Sequence, residues 1–286
     1  MPTLEVNGAS LYYEAKGAGA TIVFVHGIPT DYRAWAAQSG PFTRDRKMVA
    51  LSRRYAFPNK REGDMTDSTV QNNAEDLRAI VESLGAGPVD LVGHSYGGFI
   101  SAFLSAEHPG LVNSLVLVEP AVSTLLVADQ TSSSQLLALL FRSPSVALSA
   151  RRFQTRSLMP SLKALDAGDL QRAVELNVDG VQDFTGAFAR LPDDVRRMML
   201  DNARTIAELK TSFPRFTSAE AGKIAAPTLI LNGEGSTPWL RRIGRLLGKA
   251  IPKAQNATIR GASHFPHFEN PLEFNASVQD FLRSAR

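Results

Sequence analysis

The chain has 286 residues, with 31 Lys and Arg against 28 Asp and Glu, a formal net charge of +3. Hydrophobic residues make up 44% and charged residues 21%, which suits one large α/β domain, or a domain with an insert, and excludes disorder for the bulk of it. Cysteine is absent, which excludes a disulfide scaffold, a thiol nucleophile, an iron–sulfur cluster and any Cys-based zinc site.

Residues 4–6 and 11–13 are short apolar runs on either side of Asn7-Gly8. That dipeptide predicts a hairpin with a type I′ turn, because both central residues need positive φ. Residues 21–25 form a β-branched apolar run that ends at His26-Gly27, and residues 48–51 form another. Helical periodicity runs over 68–84, with Val70, Ala74, Leu77, Ile80, Val81 and Leu84 on one stripe. A strand over 89–92, a helix over 96–106 and a strand over 114–118 follow. Short apolar strands alternating with helices predict a mostly parallel sheet covered on both faces.

The alternation then stops. From about 121 to 222 no strand is legible, and 136–141, 169–178, 181–190 and 193–209 read as helices. Strand character returns at 228–231. A helix over 238–247, a strand around 257–259 and a helix over 271–283 complete the chain, the last with Asn270 as cap and Pro271 in its first turn. The expected division is a core over 1–121 and 223–286, interrupted by a helical insert over 122–222.

Several functions are excluded or disfavoured. The five histidines, His26, His94, His108, His264 and His267, form no metal-ligand spacing, so no metal site is expected. Residues 1–20 lack the make-up of a signal peptide, and no apolar run is long enough to cross a membrane. The expected compartment is therefore the cytoplasm, with no membrane partner. No long unbroken basic run occurs, and the doublets Arg53/Arg54, Arg151/Arg152 and Arg241/Arg242 are expected to be solvated, so no nucleic-acid partner is expected either. Oligomeric state is not legible.

Gly93-His94-Ser95-Tyr96-Gly97 fits G-x-S-x-G between a predicted strand and a predicted helix. A turn that sharp strains the serine, projects its hydroxyl outward and places it at a helix N-terminus. The competing reading is a glycine-rich turn that merely packs a helix on a sheet. Attack by serine on a carbonyl needs two N–H donors for the resulting oxyanion. Tyr96 supplies one, as the residue after the nucleophile. The loop His26-Gly27-Ile28-Pro29 is the source of the other, and because proline has no N–H the candidate is Ile28. His26 is expected to be structural, His94 to point away from the pocket and His108 to end a helix.

On the motifs His26-Gly27, Gly93–Gly98 and Gly261-Ala262-Ser263-His264-Phe265-Pro266-His267, in their order and spacing, the chain resembles the α/β-hydrolase fold family with an inserted all-helical cap. The resemblance implies an α/β fold with a mostly parallel sheet flanked by helices. It places the general base at His264, with His267 as a rival three residues on. It also departs from the commonest pattern. The usual aspartate after the strand over 228–231 is replaced by Ser236, in the loop Asn232-Gly233-Glu234-Gly235-Ser236.

Two carboxylates remain as the triad acid. Glu119 ends the strand over 114–118, a neighbour of the strand carrying Ser95 if the crossover is the usual one. Some branches of the family take their acid from this position. Glu234 lies in the usual loop and is the alternative. A serine nucleophile excludes the family's dehalogenation and epoxide-opening chemistries and points to acyl transfer without a cofactor. The expected activity is hydrolysis of a small apolar ester or lactone. The alternatives are C–C bond hydrolysis of a vinylogous diketone, or a non-catalytic ligand-binding member of the fold. Phe141, Phe184 and Phe188 of the insert are candidate substrate-binding residues, although packing of the cap on the core competes for each. The loop Ser52-Arg53-Arg54-Tyr55 departs from the family's usual glycine-rich stretch. Its arginines either meet a substrate carboxylate or form salt bridges within the fold.

Overall fold

The computed structural model describes residues 2–59, 63, 65–128 and 132–285, apart from the side chains of Ser133 and Leu136. The side chain of Leu136, the first residue of the predicted helix over 136–141, therefore lies outside the described part of the chain. The strands are β1 (Thr3–Val6), β2 (Ala9–Lys16), β3 (Ala20–Val25), β4 (Arg46–Leu51), β5 (Val89–His94), β6 (Val112–Val118), β7 (Thr228–Gly233) and β8 (Ala254–Ile259). They form one sheet in the order β1-β2-β4-β3-β5-β6-β7-β8. β1 and β2 are antiparallel, as is the pair β2–β4, and every later pair is parallel. Asn7 and Gly8 both take positive φ, as an Asn-Gly hairpin turn requires.

The core helices are α1 (Ala36–Phe42), α2 (Val70–Ser83) and α3 (Tyr96–Glu107) before the insert, and α11 (Pro238–Ala250), α12 (Pro266–Glu269) and α13 (Pro271–Ser284) after it. One apolar cluster joins the sheet to α2, α3 and α11, with Leu77, Ile80, Phe99, Ile100 and Leu240 buried. A second joins the other face to Trp35, Phe42, Phe274 and Val278. Helices on both faces leave the C-terminal ends of β3, β5, β6, β7 and β8 as one edge, where open α/β sheets place their sites.

Between β6 and β7 the chain is helical: α4 (Ser133–Arg142), α5 (Pro144–Phe153), α6 (Met159–Asp166), α7 (Leu170–Val181), α8 (Ala187–Arg190), α9 (Asp193–Asp201) and α10 (Ser218–Ala221). A single-turn π-helix over Gln154–Leu158 joins α5 to α6, and a 3-10 stretch covers Ala203–Lys210. The expected helix over 181–190 is shortened. α7 stops at Val181, and positive φ at Asp183 and Gly186 breaks the chain before α8. The expected helix over 193–209 is split at Asn202. That side chain donates to Asp31 Oδ2 at 2.6 Å and to the Met198 carbonyl at 2.7 Å, and its oxygen accepts from Phe57 N–H at 2.7 Å.

The Arg53/Arg54 doublet is buried rather than solvated. Arg54 bonds Asp76 Oδ1 at 2.9 Å, and Arg53 bonds Glu208 Oε2 at 2.7 Å. Arg151 and Arg152 are exposed, Arg152 pairing with Asp183 at 3.1 Å.

Candidate active site

Ser95 lies between β5 and α3 with φ 52° and ψ −115°, a backbone conformation L-residues avoid. Its surroundings leave no room for side chains. A Cβ at Gly93 would stand 2.5 Å from the Gly97 carbonyl oxygen, and one at Gly97 would stand 2.4 Å from the carbonyl oxygens of Val25 and His26. The glycines therefore let the start of α3 close onto the ends of β3 and β5.

His264 follows β8 and presents Nε2 at 3.0 Å from Ser95 Oγ. Its Nδ1 lies 3.4 Å from Glu119 Oε2, at the long end of hydrogen-bond distance. With Nδ1–H turned to the carboxylate, Nε2 keeps a lone pair that faces the Ser95 hydroxyl. His94 pairs with Val118 in the sheet register, so Ser95 and Glu119 occupy equivalent positions at the ends of adjacent strands. Glu119 also has positive φ, at 48°.

Glu119 is fully buried. Oε1 accepts from Asn232 Nδ2 at 2.9 Å and from Gly233 N–H at 2.8 Å, and Oε2 accepts from Ser236 Oγ at 2.9 Å. Ser236, where the family's usual aspartate is replaced, thus supplies a donor to the carboxylate on the neighbouring strand. Glu234 instead accepts from the Gly261 N–H at 3.0 Å, at the outer edge of the loop. Of the two candidate acids, only Glu119 has a contact with His264 among the described residues.

The other histidines differ in role. His267 is buried 4.7 Å from the Trp35 ring and 4.1 Å from the Phe268 ring, and neither ring nitrogen has a hydrogen-bond partner among the described residues. Burial, and then the charge of His264, push its pKa down to about 3. His94 is fully buried and its Nε2–H donates to the His264 carbonyl at 2.8 Å, holding the loop that carries the imidazole. Burial, followed by its histidine neighbours, lowers its pKa well below the usual range. His26 donates from Nδ1 to the Gly27 carbonyl at 2.8 Å and accepts from Arg53 N–H at Nε2, 3.0 Å away. Burial and then the Arg53 charge keep it neutral. His108 ends α3 and lies 3.6 Å from Glu75.

The two candidate oxyanion donors, Tyr96 and Ile28, lie beside Ser95 in the chain and in space respectively. Tyr96 is the first residue of α3, so its N–H has no partner within the helix. A Cβ at Gly27 would stand 3.0 Å from Ser95 Cβ, so the residue before Ile28 packs directly against Ser95. Two residues that matter here were not singled out from the sequence. Glu269 accepts from the N–H groups of Ser263 and Phe265, at 2.7 and 3.2 Å, bracing the His264 loop. Glu208 reaches the site through Arg53.

The three phenylalanines form no common lining. Phe141 is 79% exposed on α4. Phe184 is 42% exposed, with the Arg190 guanidinium 4.1 Å from its ring centre. Phe188 is packed in the apolar core. A cleft of about 640 Å³ between the start of α2 and the insert is lined by Met65, Thr69, Leu165, Arg204 and Thr211, and none of its lining residues belongs to the Ser95–His264–Glu119 set. Ser95 itself is 8% exposed.

Known proteins resemble the chain along nearly its whole length. The model of a family described as "Alpha/beta hydrolase family" matches residues 22–277. The sn-1-specific diacylglycerol lipase ABHD11 of Mus musculus is 26% identical over 276 residues, covering 91% of this chain and 80% of its own. A 2-hydroxy-6-oxononadienedioate/2-hydroxy-6-oxononatrienedioate hydrolase of Cupriavidus pinatubonensis is 27% identical over 286 residues, covering 93% and 88%. The solved enol-lactonase of Burkholderia xenovorans LB400 matches with a TM-score of 0.63 at 20% identity, covering 99% of this chain and 100% of that one, a likeness of fold.

Proposed function

This chain belongs to the alpha/beta hydrolase family, and on that premise we propose that it is a serine hydrolase of carboxylic esters or lactones, with Ser95, His264 and Glu119 as its triad. The observation that carries the reading is the 3.0 Å contact between His264 Nε2 and Ser95 Oγ at a strained strand-to-helix turn. His264 takes the Ser95 proton as Oγ attacks the carbonyl carbon. The Ile28 and Tyr96 N–H groups hold the oxyanion. His264 then protonates the leaving alcohol, or the ring oxygen of a lactone, leaving an acyl-enzyme. Water, deprotonated by the same imidazole, attacks the acyl carbon and releases the acid. Glu119 keeps Nδ1 protonated and stabilises the imidazolium that forms twice in each turnover.

In this reading residues 122–222 are a cap over a small-molecule site. The test is release of p-nitrophenol from short acyl esters, together with turnover of simple lactones. Loss of turnover in Ser95→Ala is expected, and an inert wild type on both panels overturns the reading.

The 27% identity to a hydrolase of 2-hydroxy-6-oxo dienedioates favours a second reading, C–C cleavage beside a carbonyl by the same residues. It predicts fading of the yellow dienolate absorbance of a vinylogous diketone at rates above those on esters. Inertness toward such a diketone removes it.

A further inference from the structure

The oxyanion loop is held by a buried network that the triad does not use. The peptide bond between Gly27 and Ile28 is planar and trans, so the Ile28 N–H points opposite the Gly27 carbonyl. Whatever fixes that carbonyl aims the donor. Its oxygen accepts from His26 Nδ1 at 2.8 Å, Thr30 Oγ1 at 3.1 Å, Thr30 N at 3.3 Å and Arg53 Nη2 at 3.4 Å. Donors on a carbonyl also polarise the N–H of the same peptide, which strengthens it as a donor.

Arg53 organises this cluster. Its Nε donates to the His26 carbonyl at 3.0 Å, its backbone N–H to His26 Nε2 at 3.0 Å, and its guanidinium lies 5.0 Å from the centre of the Tyr96 ring. It therefore touches the residues bearing both oxyanion donors or their direct neighbours. Arg53 is in turn held by Glu208, in the helical insert, at 2.7 Å, and both are buried. The second Glu208 oxygen accepts from Ser68 Oγ at 3.0 Å, and the Tyr96 hydroxyl donates to the Ser68 carbonyl at 3.1 Å.

We propose that Arg53 and Glu208 are positioning residues that aim and polarise the Ile28 N–H, so that seating of the helical insert sets the oxyanion hole. The inference rests on the serine-hydrolase reading and adds to it a pair that never meets substrate. A planar fork is required, because Arg53 contacts two carbonyls and a carboxylate at once, and lysine offers only a point charge.

The experiment compares wild type, Ser95→Ala, Arg53→Lys, Glu208→Gln and Thr30→Val on a p-nitrophenyl ester. It includes binding of an alkyl boronic acid, which mimics the tetrahedral anion. Removing an oxyanion donor outright lowers kcat by about 10²–10³, and misaiming one costs less. The expected kcat losses are about 10–100-fold for Arg53→Lys, about 5–30-fold for Glu208→Gln and about 3–10-fold for Thr30→Val. KM stays within about threefold, boronic-acid affinity falls by a factor similar to kcat, and the acidic limb of the kcat/KM pH profile does not move, because the base is untouched.

Losses confined to KM, or losses that only track the folded fraction seen by circular dichroism, overturn the proposal. Where the two ion-pair variants fail to fold, Thr30→Val decides, since it leaves that pair intact. Three folded variants within about twofold of a Ser95-dependent wild type overturn this inference and leave the hydrolase reading standing. An inert wild type, or full activity in Ser95→Ala, overturns both.

Discussion

Two fully buried glutamates lie near Ser95, and they are held in opposite ways. Glu119, at the end of β6, is surrounded by neutral donors: Asn232, the Gly233 N–H and Ser236. No lysine or arginine meets it among the described residues, and the imidazole of His264 lies beside it. Glu208, on the insert, is paired with the Arg53 guanidinium. Burial raises its pKa and the Arg53 charge opposes that rise. A carboxylate whose charge is already matched has none to offer a transient imidazolium, whereas one held by neutral donors has. On the proposed reading, burial alone does not separate a triad acid from a structural carboxylate; the charge of its partners does.

The sharpest way to break that contrast is Glu119→Gln beside Glu234→Gln. An amide at 119 no longer favours the Nδ1–H form of His264 or stabilises its charge. The expected loss in kcat is about 10⁴-fold, the scale seen when a triad acid becomes an amide. Glu234→Gln should stay within about threefold, because its carboxylate only braces Gly261. Steady-state ester kinetics read both, and a reversed ranking assigns the acid to Glu234.

Glu208 should show the reverse balance, with stability as the larger effect. Glu208→Ala strands the Arg53 charge in the interior, and breaking a buried pair from one side costs about 3–5 kcal/mol. Urea unfolding measures this directly. A loss under about 1 kcal/mol would mean that water or another acid reaches Arg53, and the contrast with Glu119 would fail.

Part of this was legible beforehand. The strand ends carrying Ser95 and Glu119 are readable because apolar β-branched runs stop at glycine or at a lone polar residue, and parallel crossovers fix which ends are neighbours. The insert was legible only as helical. α5 and α6 carry Pro144 and Pro160 in their first turns, and α1 carries Gly40-Pro41 within it, so local propensity reads them as breaks. Arg53 read as solvated from its doublet and as a salt-bridge candidate from its loop, and the structure gives the salt bridge, to a partner 155 residues away that the sequence could not name. No window of sequence contains both charges, so pairing that long-range is invisible to composition. Ser236 read as a missing acid, whereas its hydroxyl binds the acid on the next strand.

That last relation gives a rescue test. In the double variant Glu119→Gln/Ser236→Asp, the negative charge returns to the place the family commonly uses, within reach of the same imidazole. Activity should recover about 10–100-fold relative to Glu119→Gln, as a correctly oriented base is restored. Ser236→Asp alone should lower activity, because two carboxylates at hydrogen-bond distance cannot both stay ionised. No recovery in the double variant would mean that the loop after β7 no longer points at His264.

The last expected effect, near zero at neutral pH, concerns the interior beside His264, where charge is excluded rather than matched. His267 has a pKa near 3 against an ordinary 6.5. Between those values the unfolded chain takes up a proton that the folded chain refuses. The stability that comes from keeping this ring neutral is fully present above about pH 6.5 and is lost as pH falls toward 3, by about 1.4 kcal/mol per pH unit. His26 and His94 are lowered in the same direction and add to the slope. His267→Phe keeps the ring among Trp35, Phe268 and Phe274 and removes two nitrogens that have no partner among the described residues. Its stability at pH 7.5 should lie within about 1 kcal/mol of wild type, since an unpaired buried polar group is being replaced by an apolar one of similar shape. Between pH 6 and 4 its stability should fall less steeply, by about one proton's worth of slope. Urea melts across that range read the difference, and equal slopes would show that His267 takes up its proton in the folded chain as readily as in the unfolded one.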